Sequence, residues 1–199
     1  MMKLPPLILL SAGRGSRLGT SKGLFLFEGR SWLEHQLERI VSVGIKQVSL
    51  VLGFEAEKYV ELLSRIPDFN LEITVLINPQ PERGMFSSVQ VGIESVIQYQ
   101  RAFLMPIDTP CPAAQVWHEL ASSKPVAAAI PQFAAHGGHP LLLNQIFMRK
   151  LVQENFNSRL DFCIRALDSE DVLRVACGDI LSIKNLNTAD DFTNFISRR

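Results

Sequence analysis

Short apolar runs alternate with helical patterns along the chain. Leu7–Leu10 and Gln47–Leu52 have the length of buried strands, and between them Leu33, Leu37 and Ile40 recur at helical spacing. Such alternation is typical of βαβ units, in which helices cover a largely parallel sheet. We therefore predict an α/β fold with a central, mostly parallel sheet flanked by helices.

The pattern runs to the end of the sequence without a linker, a repeat or a low-complexity tract. The chain has 199 residues, of which 47% are hydrophobic, and this is enough for one sizeable core. Beyond Pro131 the elements become shorter, with strands predicted at Val172–Val175 and Ile180–Ile183. We interpret this part as a subregion and predict that residues 1–199 form a single domain.

The charge composition argues against two classes of partner. Twenty Lys and Arg residues balance twenty Asp and Glu residues, so no long-range field draws the chain to nucleic acid or to anionic lipid. The N-terminal apolar run Leu4–Leu10 is too short for a signal sequence or a membrane span. We expect a cytoplasmic protein that binds neither nucleic acid nor membranes.

A glycine-rich, basic loop follows the first predicted strand. It contains three glycines and three basic residues, Gly13, Gly15, Gly19, Arg14, Arg17 and Lys22. Ligands of open α/β sheets bind at the carboxyl ends of strands, where such a turn presents several backbone N–H groups to one anion. A purely structural βα connection is usually about 2–6 residues long, so the greater length of this loop indicates phosphate binding.

Two common kinds of phosphate-binding loop do not match this sequence. A Walker motif ends in Gly-Lys-Ser/Thr, and Thr20–Gly23 does not supply it. The dinucleotide fingerprint GxGxxG would need glycine at the position of Leu18, and Leu52–Phe54 offers no acidic residue for a ribose. A nicotinamide oxidoreductase is therefore a weak alternative.

Asp108 is an isolated carboxylate just after the predicted strand Ala102–Met105. A hard oxygen ligand at that place would hold Mg²⁺ near phosphates bound by the glycine-rich loop. An ordinary Asp-x-Pro turn is the structural alternative. We interpret Asp108 as the metal ligand of the site.

The segment Leu10–Gly19, followed by Lys22, resembles the signature of the MobA-like nucleotidyltransferases, a family with the Rossmann-like GT-A fold. Four further stretches are similar to the family, so the resemblance extends over nearly the whole chain. It implies transfer of a nucleoside monophosphate from CTP or GTP to an acceptor phosphate, with Mg²⁺ as cofactor and release of pyrophosphate. Arg17, Lys22 and Asp108 would then be catalytic, and the loop residues that bind nucleotide would be Ser11, Ala12, Gly13, Arg14, Gly15 and Lys22.

The same resemblance implies contacts with the nucleotide and the acceptor elsewhere in the chain. Asn78, Ser87 and Ser88 match the family's loop for the base and ribose, although Ser is also common at helix N-caps. Gly138 and His139 match a Gly-His-Pro element beside the acceptor site. A packing or turn role is the alternative for His139.

Asn187 matches the position that supplies a second metal contact beside Asp108. Thr188 would cap the final helix in this comparison. An Asx turn leading into that helix would explain Asn187 equally well. The two roles stay open at this point.

The resemblance leaves the base and the acceptor open. A molybdopterin-type acceptor, which would imply a molybdoenzyme client, and a sugar phosphate are both compatible with it, because base and acceptor selectivity depend on a few hydrogen bonds. A rival from another class is a nucleotide-binding or chaperone-like module without turnover. Such a module would bind nucleotide without releasing pyrophosphate.

Overall fold

The computed structural model describes residues 3–196, in which strands and helices alternate as predicted. The strands are β1 (Leu7–Ser11), β2 (Leu26–Phe27), β3 (Arg30–Ser31), β4 (Gln47–Leu52), β5 (Glu72–Ile77), β6 (Arg101–Pro106), β7 (Ala128–Phe133), β8 (His136–Gly137), β9 (Leu141–Asn144) and β10 (Val172–Ala176). The helices are α1 (Trp32–Ser42), α2 (Ala56–Leu63), α3 (Met85–Val96), α4 (Ala114–Ser122), α5 (Gln145–Gln153), α6 (Leu160–Arg165) and α7 (Ala189–Ile196). Each helix in this part of the chain falls short of what a bilayer crossing requires.

The main sheet has the strand order β10-β7-β9-β6-β1-β4-β5, with β8 paired to β7. β1 pairs in parallel with β4 and β6, and β4–β5 and β10–β7 are also parallel. β9 runs antiparallel to both of its neighbours. The prediction of a single α/β domain with a central, mostly parallel sheet is therefore confirmed for residues 3–196.

β1 is buried on both faces because helices cover the two sides of the sheet. Leu7 and Leu9 belong to a core with Leu33 and Leu37 of α1, whereas alternate residues of β1 face a second core beneath α3. Burial of each such side chain stabilises the fold by about 1.5–3 kcal/mol. The apolar run of β1 thus fixes it in the middle of the sheet, and its carboxyl end carries the glycine-rich loop.

The reversed strand β9 brings a distant segment to the same edge of the sheet. Leu104 of β6 pairs with Leu141 at the start of β9, so the residues that precede β9 lie beside the carboxyl end of β6. Gly138 and His139 precede β9, and Asp108 follows β6. The topology therefore gathers the two loops at one edge.

One predicted strand is wrong. Ile180–Ile183 forms a 3-10 helix, because the Asp179 side chain accepts a hydrogen bond from the Leu181 amide at 2.9 Å. The backbone carbonyl of Asp179 also accepts from the Ser182 amide at 3.2 Å. A side-chain cap of this kind competes with strand pairing and overrides the apolar residues that suggested a strand.

Gly92 of α3 is the point of closest approach between this helix and the sheet. A Cβ atom there would lie 2.4 Å from Cγ2 of Ile8 and 3.1 Å from Cγ2 of Val51. We expect Gly92→Ala to lower the free energy of unfolding by about 1–3 kcal/mol, as overpacking of a core does. Chemical denaturation measures this loss. Gly178→Ala is the control, because a Cβ at Gly178 meets nothing within 4 Å; equal effects of the two substitutions would contradict this packing.

Candidate active site

The carboxyl ends of β1 and β6 border a cavity of about 310 Å³, called here the first cavity. The glycine-rich loop forms one wall, and the loop after β6 forms another. Most of the residues predicted to bind nucleotide or to act in catalysis line it: Ser11, Ala12, Gly13, Arg14, Gly15, Lys22, Ser88 and Asp108. Residues far apart in the sequence thus meet where ligands of open α/β sheets bind.

Gly15 allows the loop to turn back on itself. Its φ angle is +60°, and a Cβ there would lie only 1.8 Å from the carbonyl oxygen of Thr20. The Leu18 amide donates to the Gly15 carbonyl at 2.9 Å and closes the turn. No larger residue fits this backbone without moving Thr20.

Glu55, at the start of α2, anchors the end of the loop. Its carboxylate accepts from the Ser21 amide at 2.6 Å and pairs with Lys58 at 2.5 Å. The Ser21 hydroxyl in turn lies within hydrogen-bond distance of the carbonyl oxygens of Gly13 and Phe54. Hydrogen bonds from Lys58 and Ser21 lower the pKa of Glu55 to about 2.

Tyr59 fixes the two ends of the loop to each other. Its buried hydroxyl accepts from the Gly23 amide at 3.0 Å and lies 2.7 Å from the Ser11 hydroxyl. Burial raises the pKa of Tyr59 to about 12 and keeps the phenol neutral. The Ser11 side chain is therefore engaged within the protein, and Lys22 is held next to a fixed backbone.

The loop that carries Asp108 is held by α1. The buried Gln36 side chain donates to the Thr109 carbonyl at 2.6 Å and accepts from the Cys111 amide at 2.9 Å. The Trp32 indole donates to the Ile107 carbonyl at 2.6 Å. With these backbone groups satisfied by side chains, the loop can be buried without a strand partner.

Lys22 joins three segments of the chain at the edge of the first cavity. Its ammonium lies 2.5 Å from Oδ2 of Asp108 and 2.7 Å from Oδ1 of Asn187. The Leu186 amide donates to the Asp108 carbonyl at 2.8 Å, which keeps the two oxygen-bearing residues side by side. The predicted partners Asp108 and Asn187 are thus brought together around one point.

Asn187 is not the residue whose side chain caps α7. The Thr188 hydroxyl accepts from the Asp191 amide at 3.2 Å, and the Asp191 carboxylate accepts from the amides of Asn187 and Thr188. These bonds lower the pKa of Asp191. The Asn187 side chain remains outside the cap and faces Lys22.

Asp108 and Asn187 offer two hard oxygen atoms aimed at a common point. Mg²⁺ typically takes one or two protein oxygens and completes its shell with water and substrate phosphates. Within residues 3–196 there is no group of three or more His, Cys, Asp and Glu side chains arranged to hold a metal ion. The donor set fits a magnesium-like ion that shares its shell with a ligand, and it does not form a closed protein cage.

Of the residues predicted for nucleotide binding or catalysis, three lie outside the lining of the first cavity. Arg17 is exposed on the loop. Asn78 and Ser87 are buried, and the Asn78 amide donates to the hydroxyls of Ser87 and Ser88 at 2.8 and 2.9 Å. Asn78 and Ser87 thus support the cavity wall to which Ser88 belongs. Direct contact of Arg17, Asn78 and Ser87 with a ligand stays a prediction.

Gly138 and His139 line a second cavity of about 750 Å³, which meets the first cavity at Gly84 and Met85. A Cβ at Gly138 would lie 2.1 Å from the Ser182 carbonyl oxygen, so close packing requires glycine there. Nδ1 of His139 is buried, without a hydrogen-bond partner in the described part of the chain. Burial lowers the pKa of His139, and the Leu104 carbonyl and the Asp108 charge oppose this shift.

A family model described as the MobA-like NTP transferase domain matches residues 7–171. This chain belongs to the MobA-like NTP transferase family. The family resemblance predicted from the loop is thereby confirmed, and the enzyme class is that of the nucleotidyltransferases.

Three known proteins are similar to this MobA-like chain over nearly its whole length. It is 21% identical over 194 residues to the probable molybdenum cofactor guanylyltransferase of Flavobacterium johnsoniae, covering 94% of this chain and 93% of that protein. A nucleotidyl transferase from Methanothermobacter has the same fold, with a TM-score of 0.77, 18% identity, and 99% and 98% of the two chains covered. Mycobacterium tuberculosis Rv0371c in complex with manganese superposes with a TM-score of 0.73 at 18% identity, covering 98% of this chain and 100% of that one.

The residues that hold this MobA-like site in place were absent from the sequence prediction. Ser21, Gln36, Glu55 and Tyr59 bond to loop backbone or to one another across long sequence separations. The signal available for Glu55 is its position shortly after β4, which ends at Leu52. Since β4 is a parallel neighbour of β1, the loops that follow the two strands lie at the same edge of the sheet. Gln36 and Tyr59 lie on helices that could be predicted only as amphipathic.

Glu55 makes the anchoring of the loop depend on pH. We expect Glu55→Gln to lower the free energy of unfolding by about 1 kcal/mol at pH 7, because a charge-assisted hydrogen bond to Ser21 is lost. The folded-state pKa is about 2 and the ordinary value 4.5, so the carboxylate stabilises the fold above pH 4.5 and progressively less as the pH falls towards 2.

Urea denaturation of both proteins between pH 7 and pH 3 measures this dependence. The difference between wild type and Glu55→Gln should be constant above pH 4.5 and shrink below it. The exposed Glu57 on the same helix provides the control variant Glu57→Gln, which should change stability little at any pH. A Glu55→Gln difference that grows as the pH falls would contradict the anchoring role.

Proposed function

We propose that this protein transfers a nucleoside monophosphate from CTP or GTP to the phosphate of an acceptor and releases pyrophosphate. The observation that carries the proposal is the convergence of Lys22, Asp108 and Asn187 beside the glycine-rich loop. One cation and two oxygen ligands at a phosphate-binding loop are what positioning and neutralising a triphosphate require. The acceptor phosphate is the nucleophile, and no covalent intermediate with the protein forms.

The glycine-rich loop binds the triphosphate. Gly13 leaves its side of the cavity open, and Arg14 lines the cavity with its guanidinium 4.4 Å from the centre of the Phe54 ring. Backbone amides, Arg14 and Lys22 together neutralise phosphate oxygens, while the Glu55 and Tyr59 anchors keep them in place. Because these groups are fixed before the ligand arrives, little ordering is needed at the moment of reaction.

Asp108 and Asn187 would hold Mg²⁺, which supplies a Lewis acid for the charge that develops on the phosphates. The ammonium of Lys22 contacts both of these oxygens. With a divalent cation held by Asp108 and Asn187, the Lys22 ammonium would instead pair with a phosphate oxygen of the nucleotide. The manganese complex of the Mycobacterium tuberculosis protein of like fold supports a divalent metal in this family.

The acceptor enters from the second cavity, which meets the first at Gly84 and Met85. Gly138 and His139 line that cavity, and we propose that they contact the acceptor. The similarity to the probable molybdenum cofactor guanylyltransferase of Flavobacterium favours a molybdopterin-type acceptor. A molybdoenzyme client and a cytoplasmic location are part of the same proposal. A sugar phosphate is the alternative acceptor.

We expect Asp108→Asn to lower the rate of metal-dependent pyrophosphate release by about 100-fold or more, and nucleotide affinity much less. The amide keeps the shape of the side chain but removes the charge that holds the metal. Asn187→Ala should act in the same direction more weakly, since water can replace one neutral ligand. The effects of the two substitutions should be less than additive if both residues contact one ion.

A coupled assay for pyrophosphate with CTP or GTP, Mg²⁺ and candidate acceptor phosphates measures these rates. The control is Asp168→Asn, which replaces an exposed carboxylate outside both cavities. Undiminished pyrophosphate release by Asp108→Asn would contradict the metal assignment. Nucleotide binding by the wild type without any pyrophosphate release would instead favour the non-catalytic, chaperone-like alternative.

A further inference from the structure

The second cavity has a lining that restricts the chemistry of its occupant. We infer that the acceptor is a phosphate monoester with a largely apolar ring body, bound through Arg83 and Arg174, and not a polyhydroxylated sugar phosphate. This inference rests on the proposed function, because it assigns the second cavity to the acceptor. Its volume of about 750 Å³ lies within the range of sites for molecules larger than inorganic phosphate.

Positive charge is concentrated in the second cavity although the whole chain has no net charge. The cavity is lined by four arginines and one acidic residue, Arg83, Arg159, Arg165, Arg174 and Asp161. An excess of guanidinium groups in a concave site attracts an anionic ligand and suits the geometry of phosphate. The occupant is therefore an anion.

The arginines of α6 and its N-terminal flank are already paired within the protein. Arg159 donates to both oxygens of Asp161 at 3.0 and 3.3 Å, and Arg165 lies 3.5 Å from the same carboxylate. Both guanidinium groups also lie near the ring of Phe162. These two residues contribute little unpaired charge to a ligand.

Arg83 and Arg174 have no acidic partner within ion-pair distance among residues 3–196. Arg83 directly precedes Gly84, where the two cavities meet, and its guanidinium stacks on the Phe156 ring at 4.1 Å. A Cβ at Gly137 would lie 3.1 Å from the Arg174 guanidinium, so glycine leaves room for this group at the cavity wall. Both guanidinium groups are thus available to the phosphate of the ligand, and Arg83 lies where that phosphate would meet the first cavity.

The floor of the second cavity is apolar. It is formed by the side chains of Phe86, Val89, Ile130, Leu141, Leu160 and Ile164. The uncharged polar side chains in the lining are those of His139, Asn157 and Ser158, of which Asn157 is exposed at the rim. A sugar would bury several hydroxyl groups without partners on this floor, and each such group costs about 1–3 kcal/mol. The hydrocarbon surface of an aromatic ring loses no hydrogen bonds there.

Isothermal titration of the full-length protein with 1-naphthyl phosphate, glucose 1-phosphate and inorganic phosphate tests this inference. We expect 1-naphthyl phosphate to bind at least about 10-fold more tightly than either of the others. Arg83→Gln and Arg174→Gln should each weaken its binding by about 10-fold, as loss of a charge-assisted hydrogen bond does. Arg149→Gln, at an exposed position of α5 outside both cavities, should leave it unchanged.

Leu160→Ser tests the contribution of the apolar floor to binding independently of the contribution of the arginines. It should weaken 1-naphthyl phosphate and leave inorganic phosphate unaffected, with melting curves confirming that the variant is folded. Glucose 1-phosphate binding as tightly as 1-naphthyl phosphate, or equal binding by wild type and both arginine variants, would overturn the inference.

Binding of CTP and GTP with Mg²⁺ to the same proteins distinguishes this result from the proposed function. If a nucleotide binds and Lys22→Ala weakens nucleotide binding, but the protein does not prefer 1-naphthyl phosphate to glucose 1-phosphate, only the acceptor class is wrong. If neither nucleotide binds, the proposed function fails whichever phosphate ester the second cavity prefers.

Discussion

The contact of one ammonium with two oxygen atoms organises the edge of the sheet that carries the candidate active site. Lys22 ends the loop after β1, Asp108 follows β6, and Asn187 precedes α7. The Lys22 ammonium lies 2.5 Å from Oδ2 of Asp108 and 2.7 Å from Oδ1 of Asn187. A lysine beside a carboxylate at the end of parallel strands has no packing purpose of its own, since its side chain and that of Asp108 are both partly exposed. An ion pair of this kind contributes little stability by itself, and the proposed phosphate and metal site gives the arrangement a function.

The surrounding fold explains how these groups stay in place. The core on both faces of β1 fixes the strand. Glu55 at the start of α2 holds the loop after β1, and Gln36 of α1 holds the loop after β6. Gln36 and Tyr59 are fully buried, and each satisfies backbone groups that would otherwise lack partners. The helices thereby hold the loops in place, so the loops can stabilise charge on a ligand without rearranging.

The sequence was most informative where structure is local. Short-range patterns are enough to predict the strands β1 and β4 and the helix α1. Phosphate binding by the loop between β1 and α1 stays a prediction. The reversed direction of β9 and the anchors Glu55 and Tyr59 depend on contacts between distant segments, which periodicity does not encode. The 3-10 helix at Ile180–Ile183 shows how one side chain, that of Asp179, outweighs an apolar pattern.

The most direct test of this account is a crystal structure with Mn²⁺ and a non-hydrolysable analogue of CTP or GTP. We expect an anomalous peak at ligand distance, about 2 Å, from the side-chain oxygens of Asp108 and Asn187. We also expect the Lys22 ammonium to move from these oxygens to a phosphate of the analogue. A manganese peak elsewhere, or a Lys22 that still contacts both oxygens while the nucleotide is bound, would contradict it.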